Sequence, residues 1–567
     1  MRMSFWPSSR RKQLVQEGLA SEKIWRSLPA NDLFKILEQS LTVRVIFSLA
    51  LIGLLTLLGI WGNTHPKDAF FSAVMMSFTG IIALIATTML FQEFSQRQSR
   101  QILFFSAIII NLVIVKLCLL YWPARQTFLW DRPEAYSLPT AIAPMLVTIL
   151  LGYGPGMMSV GVTSLLAAPL APASGADVYQ AIVLTSLLSG LAAVLFSQKI
   201  RKRADVLRAG FYVGLISLIN VITFAWLYGQ SLPVVFWQGF LVLALGIFSA
   251  FLVNAITPLF ESMFDITTDV SWLEQSDLNH KLMRRLSIEA PGTYHHSLVM
   301  ANLAETAAMS IGANALQCRV CAYFHDIGKL VKPLYFVENQ GQSPNPHEDL
   351  SPSISKLVIT SHVKEGVDIA LKHKLNHHII DAIREHHGTT VVKYFHHKAR
   401  LQREDAVAGV RILKLREDDV PEEPDEKDFR YDGPKPRSRE TAILMLADGA
   451  EAIARSLVKP SPAKIQEAID KLLHDRIEDG QFDECPISIK ELRTIADTLT
   501  TTICSMLHNR INYPDDEKQN PASKLTNTPT ITSSSPVDQK PPETPSGQSP
   551  QSASATRISS RKKASLP

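Results

Sequence analysis

Residues 42–258 are dominated by apolar side chains arranged in runs about as long as a bilayer is thick, and this constrains the chain more than any other feature. A helix rises about 1.5 Å per residue, so roughly 20 consecutive apolar residues are needed to cross the hydrocarbon. Segments 43–62, 69–91, 102–122, 179–198, 209–228 and 234–258 meet that requirement. Segment 138–170 is also apolar but is interrupted by Gly152-Tyr153-Gly154-Pro155-Gly156. It reads as two short spans hinged at that turn, which makes about eight spans; a re-entrant pair would leave six.

Charge orients the bundle. Arg2, Arg10, Arg11, Lys12, Lys23, Arg26 and Lys35 precede the first span. Arg97 and Arg100 lie in the 92–101 loop, and Lys199, Arg201, Lys202, Arg203 and Arg208 in the 198–208 loop. The opposite side carries only Lys67, Arg125 and Arg132. An even number of spans then puts the N-terminus, the basic loops and everything after 258 in the cytoplasm. Residues 43–62 do not read as a cleaved signal peptide, because the preceding segment is too long and no small-residue cleavage site follows. The main ionisable group inside a span is Lys116, close to Tyr121 and Trp122, and it is expected to snorkel to the interface. The bundle therefore reads as an anchor with a sensing role rather than as a transporter.

At 567 residues the chain exceeds one ordinary core, and its composition changes sharply along its length. The expected organisation is a cytoplasmic segment 1–42, the membrane bundle 43–258, a polar domain 259–513 rich in His, Lys, Glu and Asp, and a tail 514–567 of Ser, Thr, Pro, Gln and Lys. The tail has too few apolar residues to build a core and is expected to be disordered. Within the polar domain, Trp272 to Leu286 has apolar residues at helical spacing and is expected to join the last span to the globular part. Pro291-Gly292-Thr293 breaks that pattern, with Thr293 as N-cap of a helix over 294–312. Further helices are expected at 313–327, 351–374, 376–387, 391–416, 438–458, 461–479 and 488–513, with loops at 333–350 and 417–437. No strand alternation is visible, so the fold class is all-α: a polytopic helical membrane bundle followed by an all-α domain. The five cysteines form no disulfide framework, and Cys318 and Cys321, although in CxxC spacing, read as buried helix thiols.

The chemistry is carried by imidazoles and carboxylates in a fixed order. His295-His296 stand at a helix start, His325-Asp326 at a helix end, then come His362, His386-His387 and Asp448. Any one of them alone is an ordinary surface or capping residue. Together, on successive helices of an all-α domain, they are what a buried dinuclear centre requires. Neutral imidazole and carboxylate suit iron, manganese or zinc, and one carboxylate bridges two cations through its two oxygens. Two such cations stabilise both the attacking and the leaving oxygen of an in-line displacement at phosphorus. Lys329, one helical turn beyond Asp326, can place an ammonium on a non-bridging phosphate oxygen. A lysine favoured at a helix C-terminus explains its position equally well.

Several strings resemble the seven-transmembrane HD family of the HD metal phosphohydrolases. They are Glu289-Ala290-Pro291-Gly292-Thr293-Tyr294-His295-His296-Ser297, His325-Asp326-Ile327-Gly328-Lys329, Glu338-Asn339-Gln340, His386-His387-Gly388-Thr389 and Phe429-Arg430-Tyr431-Asp432-Gly433-Pro434-Lys435-Pro436. The resemblance covers roughly residues 43–513. It implies a membrane-anchored phosphodiesterase of the bacterial plasma (inner) membrane that opens cyclic di-AMP to pApA, using two divalent transition-metal ions, iron or manganese. One ion would be held by His296, His325, Asp326 and Asp448, the other by Asp326, His362 and His386, with Asp326 bridging and Lys329 assisting catalysis. His296 is preferred to His295 because the family's ligand directly precedes the serine. His386 is preferred to His387 as ligand, although either could face the metals, and His387 would then face substrate. Arg430 would sit on phosphate and Tyr431 on adenine. Typical members place a large extracellular domain after the first span, whereas here only Gly62 to Asp68 separate the first two spans, so that domain is expected to be missing. The expected partners are a cyclic dinucleotide and the lipid bilayer, with a homodimer left open. No nucleic-acid polymer is expected, because no basic or aromatic binding module is visible outside the HD domain. Cyclic di-GMP is disfavoured, since no Gly-Tyr-Pro follows His387. Two alternatives remain: another nucleotide phosphoester as substrate, or a nucleotide-binding membrane receptor without turnover.

Overall fold

The computed structural model describes residues 40–508 apart from 92–93, 95–96, 122–137, 172–175, 342–343, 414–421 and 458–460. The expected tail 514–567 and most of the N-terminal segment 1–42 lie outside the described residues.

The apolar half is helical throughout its described residues. Helices α1 (Leu41–Ile60), α2 (Pro66–Leu90), α3 (Gln98–Tyr121), α4 (Ile142–Leu151), α5 (Tyr153–Ala167), α6 (Ala176–Ser197), α7 (Arg203–Tyr228) and α8 (Leu232–Phe264) follow in order. Six of them are long and apolar enough to cross a bilayer, so the chain is a multi-pass membrane protein. The other two, α4 and α5, fold back on each other at Gly152, whose φ of 89° is open to glycine without strain. At about 15 and 22 Å they are each shorter than the hydrocarbon is thick. The two helices meet at the Gly/Pro turn, and among the described residues six helices of this half are of spanning length. Asn111 braces the start of α4 inside the bundle: its Oδ1 accepts the Ala143 amide at 3.0 Å and its Nδ2 donates to the Pro139 carbonyl at 2.7 Å. Backbone that leaves a helix among apolar neighbours needs such partners.

One expectation for this half is corrected. Lys116 does not snorkel: it is 1% exposed, and its ammonium donates to the Leu170 carbonyl at 3.0 Å. Leu170, in the turn after α5, holds the ammonium inside the bundle. The helix that carries the last span also runs on past 258: α8 continues through Pro258 to Phe264.

Beyond α8 lie α9 (Asp269–Gln275), α10 (Lys281–Glu289), α11 (Pro291–Ser310), α12 (Ala315–Phe324), a 3-10 turn (Ile327–Val331), α13 (Val337–Gln340), α14 (Pro352–Lys372), α15 (His377–Glu385), α16 (Lys393–Leu413), α17 (Arg439–Ser456), α18 (Pro462–Glu478) and α19 (Ile489–His508). Among the described residues the only extended pairing is an isolated bridge between Val391 and Arg430, so the domain is all-α. The segment Trp272 to Leu286 is not one helix. Asp277 Oδ1 takes the Asn279 amide at 2.9 Å and His280 Nδ1 takes the Leu282 amide at 3.3 Å, which ends α9 and caps α10. Short polar side chains competing for backbone amides stop a helix that apolar spacing alone would continue. Nor is Thr293 an N-cap. Ala290 holds that place, Pro291 follows as the first helical residue, and the Thr293 hydroxyl is turned toward Glu338.

Trp272, Leu282, Leu286, Met300, Phe324, Ile383, Leu446 and Ile495 share one core with their neighbours, separate from the core of the apolar half. Cys318 and Cys321 lie buried in it, and burial raises both thiols well above their ordinary range, as befits packing residues. The two halves meet through Arg203, bidentate on Glu274 at 2.7 and 3.1 Å, and through Asp265, whose Oδ1 is 3.0 Å from His377 Nδ1 at the start of α15.

Candidate metal centre

Five elements deliver the candidate ligands to one point in the second core. His296 lies in α11, His325 and Asp326 follow α12, His362 is in α14, His386 and His387 follow α15, and Asp448 is in α17. The close approach of the 3-10 turn to α14 depends on Gly328, where an added Cβ would stand 1.8 Å from the His362 carbonyl oxygen. That approach brings the Asp326 carboxylate to His362.

Asp326 is 2% exposed and central. Its Oδ2 is 3.1 Å from His325 Nε2 and 3.7 Å from His296 Nε2. Its Oδ1 is 3.4 Å from His362 Nε2 and 3.8 Å from His386 Nε2. Asp448 Oδ1 closes the first side at 3.1 Å from His296 Nε2, and Asp448 Oδ2 lies 3.7 Å from His387 Nδ1. The side chains therefore fall into two groups with metal-ligand spacing: His296, His325 and Asp448, and Asp326, His362, His386 and His387.

The far side of each ring shows what the near side requires. His325 Nδ1 bonds to the Ala322 carbonyl at 2.8 Å, His362 Nδ1 to Ile359 at 2.6 Å, and His386 Nδ1 to Ile383 at 2.9 Å. His296 Nδ1 bonds to Glu451 Oε2 at 2.7 Å. A ring that donates from Nδ1 carries its lone pair on Nε2. Those Nε2 atoms converge: His362 and His386 meet at 3.4 Å, as do His296 and His325. Between neutral rings of this tautomer neither nitrogen has a proton to give. Asp326 Oδ1, buried among them, has no hydrogen-bond partner. Converging lone pairs around an orphaned carboxylate oxygen fit a cation on each side of Asp326.

The electrostatics agree. Burial pushes His362 down, and it takes His386 down to about 3, with the neighbouring imidazoles adding to the effect, so both favour the neutral form a metal needs. Burial opposes charging His296 too, but its bonds to Asp448 and Glu451 outweigh burial and raise it to about 10. That corner of the site favours a positive charge at Nε2. Asp326 and Asp448 are held well below the usual carboxylate range, because the surrounding imidazoles, with Lys329 beside Asp326, outweigh burial.

His295 is exposed and faces away, so of the adjacent pair it is His296 that enters the cluster. His386 and His387 both reach it, and His387 also lies under the Tyr431 ring at a centroid distance of 4.3 Å. Lys329 Nζ is 2.7 Å from Asp326 Oδ2 and 2.8 Å from Glu338 Oε1, so it braces the central carboxylate. Arg430 does not point at the cluster as expected. Its guanidinium is taken by Asp479 at 2.8 Å and by the Thr389 carbonyl at 2.8 Å, which ties its loop to the end of α18. Two further carboxylates matter: Glu451, which the sequence did not single out, and Glu338, which stood in one of the quoted strings without a role. Glu451 follows Asp448 by three residues and so shares its helix face, but its partner on α11 is visible only in three dimensions. Glu338 holds Lys329 and accepts the Thr293 hydroxyl at 3.1 Å.

Residues 293–453, which carry these His and Asp side chains, match the HD domain model. Residues 68–268 match the family described as a 7TM receptor with intracellular HD hydrolase. The chain is 40% identical over 388 residues to the cyclic-di-AMP phosphodiesterase PgpH of Listeria monocytogenes serotype 1/2a (strain 10403S), covering 68% of this chain and 51% of that protein. It is 38% identical over 335 residues to the protein of the same name from Bacillus subtilis (strain 168), covering 59% of this chain and 45% of that one. The solved HD domain of L. monocytogenes PgpH in complex with cyclic-di-AMP is 44% identical, covering 41% of this chain and 99% of that chain with a TM-score of 0.37. The chain thus spans about half the length of the curated relatives it matches.

Proposed function

We propose that this chain is a membrane-anchored, dinuclear-metal phosphodiesterase that hydrolyses cyclic di-AMP to pApA. The observation that carries this reading is the Asp326 carboxylate, with Oδ2 facing His325 on one side and Oδ1 facing His362 on the other. In the proposed assignment His296, His325, Asp326 and Asp448 hold one ion and Asp326, His362, His386 and His387 the other. The ions proposed are iron or manganese, which this mixed imidazole and carboxylate set suits. When bound, such a pair activates water and stabilises the attacking and leaving oxygens at phosphorus. The protein's own groups do the rest. Glu451 and the carbonyls of Ala322, Ile359 and Ile383 fix the ring tautomers. Lys329 keeps Asp326 ionised and oriented, and Tyr431 over His387 offers an aromatic face to an adenine. Substrate identity is supported by the two relatives named cyclic-di-AMP phosphodiesterases.

The proposed setting is the bacterial plasma membrane, with the HD domain and the N-terminus in the cytoplasm, as the basic residues of the 198–208 loop favour. The proposed division is 1–42, 43–258, 259–513 and 514–567, and a homodimer is compatible with it. The test is turnover by the full-length protein in detergent, loaded with manganese or ferrous iron and offered cyclic di-AMP, cyclic di-GMP and pApA. Conversion of cyclic di-AMP to pApA in preference to the others is expected. Metal-loaded protein that turns over none of them would overturn the proposal.

A further inference from the structure

A cyclic dinucleotide carries two phosphodiesters, and one metal cluster engages only one of them. The second anion needs a cation at the mouth of the site. Among the described cations there, Lys329 is paired with Asp326 and Glu338, Lys364 with Asp432 at 2.9 Å, and Arg430 with Asp479. Arg476, near the end of α18, is different. Among the described residues its guanidinium makes no ion pair, and its Nε is buried without a hydrogen-bond partner.

Its place is set by the backbone. The Arg476 carbonyl accepts the Gln481 amide at 3.0 Å. The Gln481 side chain in turn accepts the Thr389 amide at 2.9 Å and donates to the Thr389 hydroxyl at 2.9 Å. Thr389 stands two residues after His387, so the end of α18 is locked to the loop that carries a candidate ligand. Asp448 and Tyr431 of the site act on Arg476, together with Asp475 and Asp479 on and just beyond its own helix. Asp479 is already bonded to Arg430, and Asp475 to Lys393 at 2.7 Å. A basic residue in the last turn of a helix is favoured by the macrodipole, but that does not explain an enclosed Nε with nothing to bond. Guanidinium groups suit phosphate because their fixed fork of donors matches its oxygens.

The geometry points to Arg476 as the residue that binds the second, non-scissile phosphate of a cyclic dinucleotide, an inference that rests on the function proposed above. The experiment compares the full-length manganese-loaded wild type with Arg476→Ala and Arg476→Lys. Substrates are cyclic di-AMP and bis(4-nitrophenyl) phosphate, which has a single phosphodiester, and bound metal is measured in each sample. Arg476→Ala is expected to raise KM for cyclic di-AMP about ten- to a hundredfold, the range of a charged hydrogen bond. Hydrolysis of the single phosphodiester and the metal content should stay near wild type, with Arg476→Lys partly restoring KM. An unchanged KM, or equal losses on both substrates, would overturn the assignment. A wild type that cleaves bis(4-nitrophenyl) phosphate but not cyclic di-AMP would remove the proposed function and this inference with it, and is recognised without any variant.

Discussion

Glu451 Oε2 stands 2.7 Å from His296 Nδ1, on the side of the ring turned away from Asp326. A carboxylate in that position fixes the tautomer and makes the facing nitrogen a better ligand. Glu451→Gln keeps the shape and removes the charge. It is expected to lower metal affinity or activity about ten- to a hundredfold, the usual effect of losing such a partner. Metal titration followed by turnover at saturating metal separates the two, and affinity is expected to carry most of the loss.

Asp326 sets one carboxylate oxygen beside each cluster of imidazoles, Oδ2 at His325 and Oδ1 at His362, so Asp326→Ala should remove more than one ion's worth of binding. Turnover is expected to fall to background and the bound metal by more than in His362→Ala. Elemental analysis of the two purified variants decides this, and a variant of Asp326 that still turns over would show that it does not bridge.

The adjacent histidines of α11 give a sharper comparison, because one is buried and one is exposed. His296→Ala is expected to lose metal and activity, whereas His295→Ala should lose little of either and stay within about 0.5 kcal/mol of wild-type stability, as exposed substitutions usually do. The reverse order in metal content would reassign the ligand.

Much of this was legible in the chain itself, for identifiable reasons. The helices expected at 351–374 and 376–387 correspond to α14 and α15, whose N-caps are Ser351 and Asn376. The break at Asp277–His280 was missed because side chains bonding locally to backbone leave apolar periodicity intact. Lys116 was misplaced because depth in a bundle depends on which neighbours close over a side chain. Arg430 carries the positive charge expected of a phosphate ligand, but Asp479 takes it, and nothing in the one-dimensional order pairs residues 49 positions apart. The same holds for Glu451 and His296, which are 155 positions apart.

Glu385 gives a pH signature. Its carboxyl is buried, and burial raises it to about 7 even though it accepts the Arg437 amide at 3.0 Å and the Thr441 hydroxyl at 2.9 Å. A folded value above the unfolded one means that the protonated form is favoured by folding. Its contribution is fully present below the unfolded carboxyl range and is lost as pH rises through about 7. Glu385→Gln stays neutral and keeps an acceptor. It is expected to stabilise the metal-free protein by about 1–3 kcal/mol at pH 8 and by little at pH 4. Denaturation in the presence of a chelator at the two pH values checks the sign, and equal effects at both would show that the carboxyl is ionised throughout.

Gly328 is the test of whether the centre depends on backbone proximity as well as on ligand identity. A methyl group at this position would stand 1.8 Å from the His362 carbonyl oxygen and 2.6 Å from the Gly366 amide nitrogen, both backbone atoms that cannot turn aside. Gly328→Ala must therefore push α14 away from the 3-10 turn that follows Asp326. The expected loss of stability is about 1–3 kcal/mol, the range for overpacking a close contact. The displacement also separates Asp326 Oδ1 from His362 Nε2, now 3.4 Å apart, while leaving His296, His325 and Asp448 where they are. The variant should therefore bind one ion nearly as well as wild type and the second more weakly. A two-site metal titration reads this directly, and equal weakening at both sites would show that the turn and α14 do not set the second site on their own.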